Sequence, residues 1–116
     1  LPICIALEML EKMHVPKLAD RKPRTFSGGE AQRVALARAF AMKPRVVLLD
    51  EPFSALDAGV KAELLREVGE QLAAQRVPTI LVTHQPEDAE LLGERVVFLE
   101  KGRVSKTKSM SDAPFR

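Results

Sequence analysis

The sequence predicts an α/β fold, a parallel sheet flanked by helices. Two short runs, "RVVLLDE" at 45–51 and "PTILVTH" at 78–84, are continuously apolar in the middle, as expected for strands covered on both faces. A helix-length amphipathic segment separates them, and strands alternating with helices build parallel sheets. The 116 residues match one common domain size. Only about three strands are discernible, fewer than a usual sheet, so the chain reads as part of something larger.

The elements follow in order. "IALEMLEKMH" at 5–14 predicts a helix, with Ile5, Leu7, Met9, Leu10 and Met13 along one side. Pro16 and the polar "LADRKPR" break it into a connection. A second helix is predicted from Gly28 to Met42, opened by Ser27 and Glu30 as a capping box and stopped by Pro44. Val34, Ala35, Leu36, Ala37, Ala39 and Phe40 leave it few polar sides, so it is expected to be largely buried.

After the first strand, "PFSALDAG" is a turn-rich loop. A third helix is predicted over 60–75, with Leu64, Leu65, Val68 and Leu72 on one side. "PEDAELLGE" predicts a short helix with acidic residues in its first turn. "RVVFLEKGRV" predicts a strand, a glycine turn and a further strand. The closing "SKTKSMSDAPFR", polar and rich in Ser and Lys, is expected to be mobile. The expected division is therefore 1–43, a helical part; 44–104, the sheet-bearing core; and 105–116, a mobile tail.

Composition excludes several classes. No apolar run approaches the roughly 18 residues of a membrane-spanning helix. A net charge of +2 is too small to imply a polyanion partner, and Trp and Tyr are absent, so no stacking platform for bases is expected. Basic residues cluster at Arg21, Lys22 and Arg24 and at Lys101, Arg103, Lys106 and Lys108, where a solvated face and a loose tail account for them. Cys4 is the only cysteine, which rules out an internal disulfide and a cysteine-built metal site. The start "LPICIALEML" lacks the marks of a signal peptide. A first residue of leucine is expected from processing or from a beginning that is missing.

Three groups point to chemistry. "VVLLDEP" places Asp50 and Glu51 at the carboxyl end of a strand, where open α/β sheets bind ligands. An aspartate there suits Mg²⁺, directly or through water, and an adjacent glutamate suits activation of a water toward a phosphoryl group. A polar strand exit explains the same residues. His84 ends the next strand, and if the strands are neighbours it opens onto the same crevice, where it suits a terminal phosphate; a surface histidine is the plainer alternative. Gly28 and Gly29 lie in the first turn of a helix, whose free amides and positive dipole end attract anions. Ordinary capping without a ligand is the competing explanation.

In that order, "FSGGEAQRVALARAF", "RVVLLDEPFSALD" and "ILVTH" resemble the ATP-binding cassette (ABC) ATPases, over about 18–104. The family's signature motif is matched by Phe26 to Glu30, its Walker B strand by Val46 to Glu51, its aspartate loop by Ser54 to Asp57 and its switch histidine by His84. The resemblance implies a P-loop NTPase-type core and assigns roles to these positions. Ser27, Gly28, Gly29 and Glu30 would form the nucleotide-binding signature, acting in trans on ATP held by a second subunit. Asp50 would support Mg²⁺ through water, while Glu51 and His84 would be catalytic, as general base and γ-phosphate sensor. Ser54 and Asp57 would lie in the dimer-interface loop. Phe26 replaces a leucine and keeps an apolar plug; Glu30 replaces a glutamine, and its side chain is better explained by capping than by nucleotide contact. The phosphate cradle G-x-x-x-x-G-K-[ST] does not occur, nor is the glutamine loop recognisable, so the chain corresponds to about the second half of such a domain.

The implied function is ATP hydrolysis by a subunit of a membrane transporter, with "DEPFSALDA" most like bacterial importers. ATP and Mg²⁺ are the implied cofactors. The implied partners are a second ATPase subunit, head to tail, and a transmembrane permease, which places the protein in the cytoplasm on the inner face of the membrane; no nucleic acid is expected. The alternatives are a non-transport ABC protein acting on DNA or the ribosome, and an inactive interaction fragment. The first thirteen residues show no sustained heptad and there are no zinc-binding cysteines, which disfavours the DNA-acting relatives. Lacking the cradle, the isolated chain is expected neither to bind ATP tightly nor to hydrolyse it. Titration with labelled ATP checks this, and micromolar binding would contradict it.

Overall fold

In the computed structural model the described residues are 2–54 and 56–110. Helix α1 covers Ile3–Lys12, α2 Gly28–Ala41, α3 Ala58–Gln75 and α4 Pro86–Leu92. The strands are β1 Val47–Asp50, β2 Thr79–Val82, β3 Arg95–Glu100 and β4 Arg103–Ser109. Two short 3₁₀ turns, Pro16–Asp20 and Pro23–Thr25, fill the polar connection after α1, each started by a proline whose fixed φ suits a first helical position. No helix among the described residues is long and apolar enough to cross a membrane.

Among the described residues the strands form two small sheets. β1 pairs with β2 in parallel, Val47 opposite Thr79 through Asp50 opposite Val82. β3 pairs with β4 antiparallel, joined by Lys101 and Gly102 at φ of 51° and 75°. Positive φ at both turn residues gives a twist that matches the strands. The strand, glycine turn and further strand expected from "RVVFLEKGRV" are present, as a hairpin separate from the parallel pair. One expectation is corrected: β4 continues to Ser109, so the first part of the stretch expected to be mobile is a paired strand, because Thr107 and Lys108 complete ladder bonds opened by Val97 and Val96. Residues 111–116, the rest of that expected tail, lie outside the described residues.

The core forms where the helices meet one face of β1. Phe40, Met13, Leu64 and Val68 are its largest fully buried side chains, surrounded by Met9, Leu36, Val47, Leu49 and Phe53. Burial alternates along β1: Val47 and Leu49 face the helices, while Leu48 is 70% exposed. Ile80 and Val82 of β2 are exposed as well, so the expectation of strands covered on both faces holds for one face here. α2 likewise buries a stripe, Arg33, Leu36, Ala37, Phe40 and Ala41, not its whole circumference. Ala31, Ala35 and Arg38 lie exposed on its far side, because small apolar residues fill a helix without needing a core.

A charged cluster lies among these helices. Arg33 of α2 is hydrogen-bonded to Glu67 of α3, both buried, and its guanidinium also donates to the Met13 carbonyl at 3.2 Å. Glu63 at 3.5 Å and His14 at 3.8 Å from Glu67 extend it toward solvent. Arginine suits the site because one planar fork serves a carboxylate and a helix-end carbonyl together. Breaking a buried pair by removing one partner strands the other charge. Arg33→Met in the intact protein is therefore expected to lose about 3–5 kcal/mol in urea unfolding, and the double change Arg33→Met with Glu67→Leu much less.

Candidate functional site

The parallel register of β1 and β2 builds the site. Asp50 is the last residue of β1, opposite Val82, and the ladder runs one bond further as the Glu51 amide donates to the Val82 carbonyl at 2.8 Å. The chain then turns sharply. Glu51 sits at φ 47°, in the left-handed region that a side chain disfavours. Ser54 stabilises the turn: its hydroxyl donates to the Glu51 carbonyl at 3.1 Å and its amide to the same oxygen at 3.3 Å. Strain at such a position persists only where surrounding bonds enforce it.

His84 lies two residues beyond Val82. Its Nδ1 is 2.9 Å from Glu51 Oε1, so the two neighbouring strands bring both residues to one crevice, as the sequence required if the strands were adjacent. With the carboxylate ionised, Nδ1–H is the donor, which leaves Nε2 and the second carboxylate oxygen for other groups. Glu51 is about two-thirds buried along its side chain, and His84 is mostly exposed. Asp50 is exposed. No cluster of three metal-ligating side chains occurs among the described residues. A magnesium ion that keeps most of its waters and binds substrate phosphates needs one or two carboxylates, and Asp50 meets that requirement.

The signature turn is shaped by its own sequence. The Glu30 amide donates to Ser27 Oγ at 3.1 Å and the Ser27 amide to Glu30 Oε1 at 2.9 Å, so the capping box is present. Ser27 keeps its hydroxyl proton free to donate elsewhere. The two glycines have different reasons to be glycine. A Cβ on Gly29 would come within 3.2 Å of Val60 Cγ1, so Gly29 lets α2 lie close against the start of α3. A Cβ on Gly28 would meet nothing within 4 Å. Packing therefore gives no reason for glycine at Gly28, whereas backbone approach by a ligand does. Among the described residues no hydrogen bond joins Ser27, Gly28 or Gly29 to Asp50, Glu51 or His84.

The loop after Glu51 is tied to its surroundings. Gln32 of α2 donates its side-chain amide to the Pro52 carbonyl. Asp57 caps α3, accepting from the Val60 amide at 3.0 Å. Ala55, inside the expected interface loop, lies outside the described residues. Lys61 pairs with Asp88 of α4 at 2.9 Å. Asp88 is buried rather than displayed at the helix start as its first-turn position suggested. Sequence reasoning passed over Gln32 and Lys61, whose only signal was polar type within otherwise amphipathic segments, and read Asp88 only as part of an acidic first turn, without its burial or its partner.

Residues 5–54 match the family model described as ABC transporter. The chain is 46% identical over 108 residues to the sulfate/thiosulfate import ATP-binding protein CysA of Rhodopseudomonas palustris, a match covering 90% of this chain and 30% of that one. It is 48% identical over 100 residues to the Fe(3+) ions import ATP-binding protein FbpC 2 of Rhodococcus jostii, covering 85% and 29%. The chain thus spans less than a third of the length of these relatives. A solved dimeric structure of the ATP-binding cassette MJ0796, in a post-hydrolysis state bound to ADP and Pi, superposes with a TM-score of 0.79 at 32% identity. That match covers 92% of this chain and 46% of MJ0796.

The capping box has a measurable signature. The Ser27 amide, and secondarily the nearby Arg21 guanidinium, hold the Glu30 carboxyl below its ordinary value of 4.5. A depressed carboxyl contributes stability that is present above the ordinary value and lost as pH falls through the lowered one. A carboxyl-carbon NMR titration is expected to give a Glu30 midpoint below 4.5, and Arg21→Gln to move it only part of the way back.

Proposed function

We propose that this chain is a portion of an ATP-binding-cassette ATPase and that the whole protein hydrolyses ATP to power import of a solute across a membrane. The observation that carries the reading is the Glu51–His84 contact of 2.9 Å at the carboxyl ends of two adjacent parallel strands. A strained glutamate held beside a histidine is a costly arrangement for a mere strand exit.

In this reading Glu51 accepts the proton of the attacking water through its free carboxylate oxygen, and His84, with both ring nitrogens protonated, donates through Nδ1 to the glutamate and through Nε2 to the terminal phosphate. Asp50 holds Mg²⁺ through water; the ion, when bound, supplies charge to offset the phosphates. Ser27, Gly28 and Gly29 belong to the opposite face of the molecule's chemistry. The amides of Gly28 and Gly29 and the Ser27 hydroxyl grip the γ-phosphate of ATP held by a second copy, so that two subunits close head to tail over two nucleotides. Glu30 takes part through its capping of that turn. Ser54 and Asp57 shape the loop that meets the partner subunit.

The import direction is supported by the relatives named as sulfate/thiosulfate and Fe(3+) import ATP-binding proteins, and a dimer by the MJ0796 structure. A permease in the membrane is the implied partner, with the ATPase on its cytoplasmic side. Two variants of the full-length protein test the mechanism. Glu51→Gln is expected to bind ATP and dimerise yet turn over at least about a hundredfold more slowly, since general-base catalysis contributes roughly 10²–10⁴-fold; unchanged turnover would remove Glu51 from the chemistry. Gly28→Ala is expected to leave thermal stability intact while lowering ATP hydrolysis, because a Cβ there meets no protein atom and would meet only a ligand.

A further inference from the structure

We infer that Lys61 and Asp88 are positioning residues that set His84 against Glu51 and link that contact to the loop ending at Asp57. The inference rests on the reading that Glu51 and His84 perform hydrolysis.

Lys61 Nζ lies 2.9 Å from Asp88 Oδ1, and the Asp88 side chain is 4% exposed against 25% for Lys61. A carboxylate so buried is tolerated only when paired. The pair therefore fixes the distance between the first turn of α3 and the first turn of α4 in a way that apolar packing, which has no preferred register, does not. Each end then leads to a reacting side chain or to the interface loop. The Asp88 amide donates to the Gln85 carbonyl at 3.2 Å, and Gln85 directly follows His84. The Gln85 amide in turn donates to Thr83 Oγ1 at 3.1 Å, so the backbone on both sides of His84 is held. At the other end the Lys61 amide donates to the Asp57 carbonyl at 2.9 Å, in the turn that Asp57 itself caps.

The two pairs line one cavity of about 150 Å³: Glu51 and His84 form part of its wall, as do Lys61 and Asp88. His84 is mostly exposed. Its position depends on the backbone of α4, and α4 is only a short helix with no side-chain cap. The ion pair supplies the missing constraint. A displacement of the loop at Asp57 reaches His84 through Lys61 and Asp88, so contact with a partner subunit and the geometry of hydrolysis are joined within one chain.

The test uses the full-length protein with ATP. Asp88→Asn, which keeps the shape and removes the charge, is expected to lower kcat about ten- to a hundredfold, in the range of misplacement by about 1 Å. KM for ATP is expected to stay within about twofold, since the group touches no nucleotide. Asp88→Glu should recover most of kcat, which a residue serving stability alone would not require. Wild-type kcat in folded Asp88→Asn overturns the inference, as does an equal loss in Asp88→Glu. Where Asp88→Asn fails to fold, K61M/D88L removes both charges together; reduced kcat in the folded double variant supports the inference and wild-type kcat overturns it. Glu51→Gln is assayed alongside. Loss of turnover there with none in Asp88→Asn defeats only this inference, whereas unchanged turnover in Glu51→Gln defeats the catalytic reading beneath it.

Discussion

The parallel pairing of β1 with β2 is the constraint on which the site depends. Asp50 opposite Val82 sets the register, and the bond from the Glu51 amide to the Val82 carbonyl extends it just past the strand. That register brings Glu51 and His84 to the same edge, where they lie at hydrogen-bonding range. A slip of one residue would turn each of these side chains to the opposite face and leave the apolar Val47 and Leu49 outside the core. The helices packed on that face therefore act on the chemistry indirectly. By burying Val47 and Leu49 against Phe40, Leu64 and Val68 they make the register costly to change.

Electrostatics divides the molecule into held and offered groups. Arg33 with Glu67, and Lys61 with Asp88, are buried pairs that join one helix to another. Desolvating such pairs gains little stability, but once formed they resist relative sliding because either charge alone would be stranded. Glu51, His84, Asp50 and the Ser27 turn, by contrast, keep polar atoms accessible. A rigid interior and an available edge are complementary demands here: the second is useful only because the first holds it in place.

Local features were legible in the sequence and distant ones were not. The capping box at Ser27 and Glu30 was readable because both partners fall within one turn and no tertiary choice intervenes. Glu51 and His84 were readable as candidates from their strand-end positions, but their contact required the two strands to be neighbours, which periodicity leaves open. The likeness to the ABC ATPases supplied what spacing did not, the roles of the glycines and the order of the motifs. The pairings of Arg33, Lys61 and Asp88 were missed because a charged residue in an amphipathic helix reads as solvent-facing, and only the fold shows which partner draws it inward. The run "RVVFLEKGRV" carried a hairpin signal in Lys101 and Gly102, yet the continuation of β4 was hidden by Lys106 and Lys108, residues without strand preference that pair because β3 offers an open edge.

The backbone at Glu51 has a consequence for anyone engineering this protein. At φ 47° the residue occupies a conformation that glycine adopts without penalty and glutamate does not. Thermostability screens and consensus-free redesign would both favour glycine, or asparagine, at this position, and each such winner would shed the carboxylate. With Glu51 in its proposed role, durability and turnover are opposed at that single residue, so a hardier scaffold has to be sought elsewhere in the molecule, with position 51 exempted from the search.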